Sequence, residues 1–392
     1  MKPRCLQLLV LLLPPLAAAR AQTEVLAPAA PAPIKDCCTV PGSRAAMLMA
    51  AAGDVSGALA PVSGPPGMVW IPGGEFSMGG VGAEARPDEF PVHTVKVDGF
   101  WMDETEVTNA QFRKFADATG YLTTAERKPE WEELAKTLPP GTPKPDDSVL
   151  VAGSMIFVPT PGPVRLDNVA QWWRWMPGAN WRHPLGPGSA LGPEQDSLPV
   201  VHVSWDDAVA YCRWAGRRLP TEAEWERACR GGVEGQRFIW GDEAPSDTVI
   251  KANLWQGGFP YEKKPADGYL LSAPVKSFPP NAYGLYDIIG NVWEWTADWY
   301  RPDTYEKDQA RGTVTNPPGP ADSYDPDEPH MPKRVNRGGS FLCNAQYCDS
   351  YRPSARMKTS PDTGQIHLGF RTVISEDAWT RQQAALPAPA TP

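Results

Sequence analysis

Two cysteines, Cys343 and Cys348, close the segment Arg337-Gly-Gly-Ser-Phe-Leu-Cys-Asn-Ala-Gln-Tyr-Cys348. A pair of thiols at this spacing serves as a structural disulfide, a redox couple or a soft-metal site. Thiolates select Cu(I) or zinc among the common metals. Zinc ordinarily takes four ligands, and no matching His or Cys pair stands near this segment. Two thiolates alone suit a linear monovalent copper. The spacing also departs from the Cys-x-x-Cys form usual in dithiol exchange. On spacing alone all three uses stay open.

The elements that must position this pair are short. Met68-Val-Trp-Ile-Pro-Gly-Gly-Glu-Phe-Ser-Met-Gly79 reads as a strand, a Pro-Gly-Gly turn and a second strand. His93, Val95 and Val97 offer the more apolar face of a half-buried strand leading to Phe100-Trp101. A helix opens at Thr108, a plausible N-cap, with Phe112, Phe115 and Ala116 on one face. A second begins at Ser204 or Trp205, buries Ala208, Tyr211, Cys212 and Ala215, and stops at Gly216. In a third, Thr221 and Glu224 have capping-box spacing, Trp225 and Cys229 point inward, and Gly231-Gly232 ends it. Residues 233–375 hold many turns and few periodic runs, and 302–333 read as a polar surface insertion.

With 392 residues the chain can bury a substantial core. Its 45 Pro, 35 Gly and 16 Trp point to loop-rich packing with large aromatic surfaces rather than a helical bundle. A formal net charge of -9 argues against a nucleic-acid partner. Residues 1–21 read as a secretory signal: Lys2 and Arg4, the apolar run Leu6 to Leu13, then Ala19-Arg20-Ala21. That run is too short to span a bilayer and no other candidate span follows, so export to the periplasm or outside is expected, without a membrane partner. Residues 22–66 read as an Ala/Pro-rich linker, 67–375 as one α+β domain, and 376–392 as a disordered tail. Of seven cysteines Cys5 leaves with the signal, so Cys37, Cys38, Cys212, Cys229, Cys343 and Cys348 remain. Six cysteines allow 15 pairings, so their count fixes no connectivity.

Several blocks together resemble the formylglycine-generating enzyme family, also called sulfatase-modifying factors. They are Met68 to Met78, Gly178-Ala-Asn-Trp-Arg-His-Pro184, Pro199 to Gly232, Asn281 to Trp299 and Arg337 to Val373. The helix blocks and GNVWEW are shared with relatives of other chemistry and speak for the fold. GGSFLCNAQYC, GANWRHP and ANLWQGGFP are specific to the oxidase branch. The resemblance implies a single mixed domain with little regular secondary structure, related to C-type lectin-like domains. It implies conversion of a cysteine in an unfolded sulfatase Cys-x-Pro-x-Arg segment to Cα-formylglycine, using O2 and a thiol reductant.

By the same resemblance Cys343 and Cys348 hold Cu(I), and the substrate thiolate adds as a third ligand. Ser340 matches an active-site serine whose hydroxyl would bond an oxygen species or a sulfur. Trp293 and Tyr347 match aromatics of the substrate groove. Two Ca2+ sites are implied. One would use the side chains of Asn253 and Asp267 and the carbonyls of Leu254 and Tyr269. The other would use Asp287, Glu294 and the carbonyls of Gly290 and Val292. Mixed oxygen donors suit calcium.

Some positions depart from the family pattern. Asn344 stands where several members have a histidine. The animal enzymes pair the equivalents of Cys212 and Cys229 with cysteines near the C-terminus, whereas Thr372 and Pro353 stand at those positions here. Cys212 and Cys229 are then expected as buried apolar residues. Cys37-Cys38 begins a run resembling a stretched sulfatase target motif, so a pseudosubstrate or copper-delivery role stands beside an inert linker. Two other functions compete: a non-catalytic sulfatase-binding paralogue, and an oxidase of the same fold acting on another thiol. The iron-dependent version of the latter needs clustered histidines, and His93, His183, His202, His330 and His367 show no cluster in sequence. A monomer is expected.

Overall fold

The computed structural model describes residues 64–246 and 248–385. The expected signal, nearly all of the linker with Cys37 and Cys38, and residues 386–392 lie outside the described residues.

The chain opens with β1 (Met68–Ile71), β2 (Gly74–Met78), β3 (His93–Val97) and β4 (Phe100–Asp103). His93, Val95 and Val97 are buried while Thr94 and Lys96 face out, as the alternation requires. Helix α1 (Asn109–Thr119) follows, capped by the Thr108 hydroxyl on the Gln111 N–H and ended by Gly120 at φ +66°. A hairpin of β5 (Gly153–Phe157) and β6 (Trp173–Pro177) precedes α2 (Trp205–Ala215) and α3 (Glu222–Arg230). Ser204 with Asp207, and Thr221 with Glu224, form the expected capping boxes. Then come β7 (Trp293–Trp299), α4 (Thr304–Ala310), β8 (Val314–Thr315), β9 (Arg334–Arg337), β10 (Met357–Thr359), β11 (Leu368–Gly369) and β12 (Val373–Ser375).

Among the described residues four small sheets result, in the orders β1-β4-β12, β2-β3-β8, β5-β6 and β10-β9-β7-β11. Strand pairs therefore join residues far apart in sequence: β12 lies on β4, and β11 runs parallel to β7. One apolar core includes Phe112, Phe115, Trp181, Tyr211, Trp225, Trp293, Trp295 and Phe370. A second cluster of Phe157, Trp172, Trp255, Phe259, Phe341, Leu342 and Ile366 carries one limb of the cysteine loop.

One expectation needs correction. Residues Glu376–Ala385 form a final helix, α5, where a disordered tail was expected. It packs through Ala378 and Trp379 against the Met68, Trp101 and Ile374 cluster, and that apolar contact is what orders it. The polar stretch 302–333 is largely exposed, as expected of a surface insertion, and α4 ties its start to the domain by burying Tyr305 against His93 with centroids 4.7 Å apart. Cys212 and Cys229 are free and buried, as expected, and burial pushes both thiols up. Among the described residues no helix is long and apolar enough to cross a membrane.

Candidate active site

The cysteine loop begins where β9 ends. Arg337 is fully buried and donates to Glu222 at 2.6 Å and Glu226 at 2.5 Å, both on α3. Beyond the loop, Arg356 reaches the same Glu222 at 2.7 and 2.9 Å, and Arg352 forks onto Glu89 at 2.7 and 2.8 Å. Bidentate arginine pairs of this kind fix geometry as well as charge. Gly338 and Gly339 turn the chain with φ +97° and +75°. A Cβ on Gly339 would sit 3.1 Å from the Tyr351 nitrogen, so the glycine lets the outgoing limb close on the returning one.

Two consecutive turns then bring the sulfurs together. The Cys343 N–H donates to the Ser340 carbonyl at 2.8 Å and the Cys348 N–H to the Asn344 carbonyl at 2.9 Å. The Asn344 side chain accepts from the N–H groups of Gln346 and Tyr347, both at 3.1 Å. This residue, standing where a histidine occurs in several relatives, therefore builds the turn. The Cα atoms of Cys343 and Cys348 are 4.6 Å apart and their sulfurs are joined as a disulfide. A disulfide offers no thiolate, so a copper expectation applies to the reduced pair. Among the described residues no three His, Cys, Asp or Glu side chains converge as a metal cage. A soft ion here would rest on two sulfurs, which fits monovalent copper and not zinc.

Both cysteines line a cavity of about 150 Å³, with Trp293 and Tyr347 among its other walls. The expected substrate aromatics are thus brought to the cysteine pair. Trp293 is buried on β7, and Tyr347 is half-exposed and packs on Phe259 and edge-on to Trp172. Cys343 is only 1% exposed, whereas Cys348 is partly open. A second, larger cavity of about 440 Å³ touches Cys343 from the side of Trp255, Gln256 and Gln346.

Ser340 is fully buried and does not line the cysteine cavity. Its hydroxyl lies 3.0 Å from His367 Nδ1 and accepts the Leu342 N–H at 3.2 Å. The Ser340 hydroxyl is thus engaged by a histidine on the cavity wall. His202 and His367, distant in sequence, come near each other, yet all four ring nitrogens are engaged: by Ser154, the Pro184 carbonyl, Ser340 and Gln365. They do not form the open histidine set that an iron site needs.

The calcium expectations fall on two adjoining loops rich in buried oxygen. Asn253 donates through Nδ2 to the Leu271 carbonyl at 2.9 Å and to Asn291 Oδ1 at 3.2 Å, leaving its own Oδ1 buried without a donor. Asp267 accepts the Tyr269 N–H at 2.9 Å and the Gln256 amide at 3.3 Å, and Gln256 Oε1 is also buried without a donor. In the second loop Asp287, at φ +54°, accepts the Lys276 N–H at 2.7 Å through Oδ2 and leaves Oδ1 unpaired. Gly290 is needed there: a Cβ would come within 2.6 Å of the Asn253 carbonyl. Glu294 instead holds Arg371 at 2.7 Å through both oxygens and Trp225 at 2.8 Å, so its carboxylate is already heavily bonded. Burial raises the Asp287 carboxyl to about 6, and burial with the Asp287 charge holds Glu106 well above the usual carboxylate range. Orphaned buried oxygens in a net acidic setting fit a hard cation.

Residues 57–376 match the sulfatase-modifying factor enzyme 1-like domain. The chain is 46% identical over 306 residues to the formylglycine-generating enzyme of Mycobacterium tuberculosis, covering 78% of this chain and 97% of that one. The chain belongs to the formylglycine-generating enzyme family. It is also 44% identical over 305 residues to the formylglycine-generating enzyme of Mus musculus, covering 78% of this chain and 74% of the other. The inactive C-alpha-formylglycine-generating enzyme 2 of Mus musculus is 38% identical over 313 residues, 79% of this chain and 86% of that one. Among solved structures, PvdO from Pseudomonas aeruginosa superposes with a TM-score of 0.50 at 24% identity, covering 79% of this chain and 94% of that chain. That likeness concerns the fold.

Beyond the family motifs, the structure adds site residues that sequence reading passed over. Trp172, Trp173, Phe259, Gln365 and His367 line the cysteine cavity. Phe259 lies inside the ANLWQGGFP block and Gln365 and His367 inside the Arg337 to Val373 block, which is a usable signal; Trp172 and Trp173 carry none. Glu106 is fully buried, accepts Asn291 Nδ2 at 3.1 Å and leaves Oε2 without a donor beside the 287–294 loop. No motif marks it.

Proposed function

We propose that this protein oxidises the cysteine of a sulfatase Cys-x-Pro-x-Arg segment to Cα-formylglycine with O2, using Cu(I) on the reduced Cys343–Cys348 pair. The observation that carries this reading is the convergence of both cysteines with Trp293 and Tyr347 on one aromatic cavity. The relatives at 44–46% identity that are named formylglycine-generating enzymes support the conversion of cysteine to formylglycine, while a relative named as inactive stands at 38%. Calcium in the 253–269 and 287–294 loops would be structural, and residues 1–21 would direct export of a monomer.

Bound copper would supply the dioxygen activation that ordinary side chains lack. The protein's own residues do the rest. Cys348 is the more accessible of the two cysteines, so an incoming chain approaches the pair from its side. Tyr347 and Trp293 hold the flanking peptide, and Trp172, Phe259 and Leu342 give the cavity an apolar wall beside the polar Asn336, Lys358 and Thr359. One O2, with two electrons and two protons from a thiol reductant, turns the substrate CH2–SH into an aldehyde and releases hydrogen sulfide and water.

The test is to incubate reduced protein, Cu(I), a thiol reductant and a Leu-Cys-Thr-Pro-Ser-Arg peptide in air, then to follow loss of peptide sulfur by mass spectrometry. Conversion that stops without O2 supports the oxidase. No conversion of any thiol peptide favours a non-catalytic sulfatase-binding protein, and conversion only of an unrelated thiol favours a different substrate.

A further inference from the structure

A hydrogen-bonded string runs from the Gly178–Pro184 block to the cysteine loop. His202 bonds the Pro184 carbonyl at 2.8 Å and Ser154 at 2.8 Å, and its N–H donates to the Gln365 carbonyl at 3.0 Å. Gly364 packs so tightly on His202 that a Cβ there would lie 2.6 Å from its carbonyl oxygen. Gln365 Oε1 in turn lies 2.8 Å from His367 Nε2. An amide oxygen at that distance makes Nε2 the protonated nitrogen, so Nδ1 carries a lone pair. At 3.0 Å the Ser340 hydroxyl is then the donor to Nδ1. With its proton committed, Ser340 Oγ accepts the Leu342 N–H at 3.2 Å while its carbonyl accepts the Cys343 N–H at 2.8 Å.

We propose that His367 is a positioning residue for the cysteine pair: it orients Ser340, and Ser340 fixes the turn that aims Cys343 at Cys348. His367 touches no reacting atom in this scheme. Its ring stands edge-on to Trp173 with centroids 4.8 Å apart, which fixes its plane. Burial, with a smaller push from His202, brings its imidazole down to about 3, so the ring is neutral and Nδ1 stays an acceptor. The inference rests on the reading of this cavity as the site of cysteine oxidation.

Three variants separate the roles of the two nitrogens. Asn places a carbonyl near the Nδ1 position, Gln places one near Nε2, and Leu places none. The primary readout is Cu(I) affinity of the reduced protein against a competing chelator, with peptide kcat and KM beside it and the thermal midpoint as a control for folding. Outer-shell partners of metal ligands contribute about 10- to 100-fold. His367→Leu and His367→Gln are expected to lose about 10-fold or more in Cu(I) affinity and in kcat, with KM little changed. His367→Asn is expected to stay within about 3-fold of wild type. A folded His367→Leu with wild-type affinity, or a His367→Asn as impaired as His367→Leu, overturns the proposal. Failure of the oxidase reading would show separately, as wild-type protein that binds Cu(I) yet converts no peptide.

Discussion

Tyr347 lies flat on Phe259, ring centroids 4.6 Å apart and planes 4° from parallel. Phe259 is 4% exposed and Tyr347 37%, so the buried ring is the platform and the outer ring is the one open to solvent. An aromatic pair contributes about 0.5–1.5 kcal/mol beyond its buried area. Tyr347→Ala is therefore expected to cost about 0.5–1.5 kcal/mol of stability by losing this stack, and, where a substrate side chain makes a comparable contact with the ring, to raise the peptide KM by about 2- to 10-fold. Phe259→Ala should instead cost about 3–5 kcal/mol in urea unfolding. An unchanged KM for Tyr347→Ala would remove this ring from the substrate groove.

Glu222 holds two buried arginines, Arg337 before the cysteine loop and Arg356 after it. Removing one member of a buried ion pair leaves an uncompensated charge and costs about 3–5 kcal/mol. Glu222→Ala should lower the unfolding free energy by that amount and loosen the cysteine loop, seen as faster proteolysis of residues 338–351. A urea midpoint equal to wild type would show that the network is not what holds the loop.

The orphaned oxygens of Asn253, Asp287 and Glu106 lead to a metal prediction. Adding Ca2+ to chelator-treated protein should raise the thermal midpoint, since a ligand present at 100 times its Kd stabilises by about 2.7 kcal/mol. Asp287→Asn and Glu106→Gln should weaken that response. Magnesium, which demands tighter octahedral geometry, should substitute poorly. A calcium-independent midpoint in the wild type would contradict the assignment.

His202 sets a pH dependence. Its folded imidazole is lowered to about 4 by burial, against about 6.5 when unfolded. Below pH 6.5 the unfolded chain binds a proton that the folded one does not, so stability falls as the pH falls. The contribution is fully present above about pH 6.5 and is lost as the pH drops through about 4. The stability difference between wild type and His202→Gln should therefore shrink from pH 7 to pH 4, measured by urea unfolding at each pH. A constant difference would mean that His202 titrates normally.

Much of this fold could be read locally. Thr108, Ser204 and Thr221 announce their helices because capping is a contact across three residues. The alternation in β3 is visible because its buried face repeats every second residue. Cys343, Cys348, Trp293 and Tyr347 came from motif resemblance, and the structure places all four on one cavity. Other features escaped because they are made between distant segments. Glu106 meets Asn291 and Ser340 meets His367 through turns set by left-handed residues, and no periodicity records such contacts. Helix α5 was missed for a related reason: Ala378 and Trp379 find their apolar partners on β1, β4 and β12.

The most direct measurement compares wild-type, Cys343→Ser and Cys348→Ser proteins, each reduced, offered Cu(I) and given a Cys-x-Pro-x-Arg peptide in air. Bound copper and aldehyde product are quantified together. One copper per wild-type chain with full conversion, and neither in either variant, is the expected result. Conversion that survives in Cys343→Ser or Cys348→Ser would contradict the copper-clamp mechanism outright.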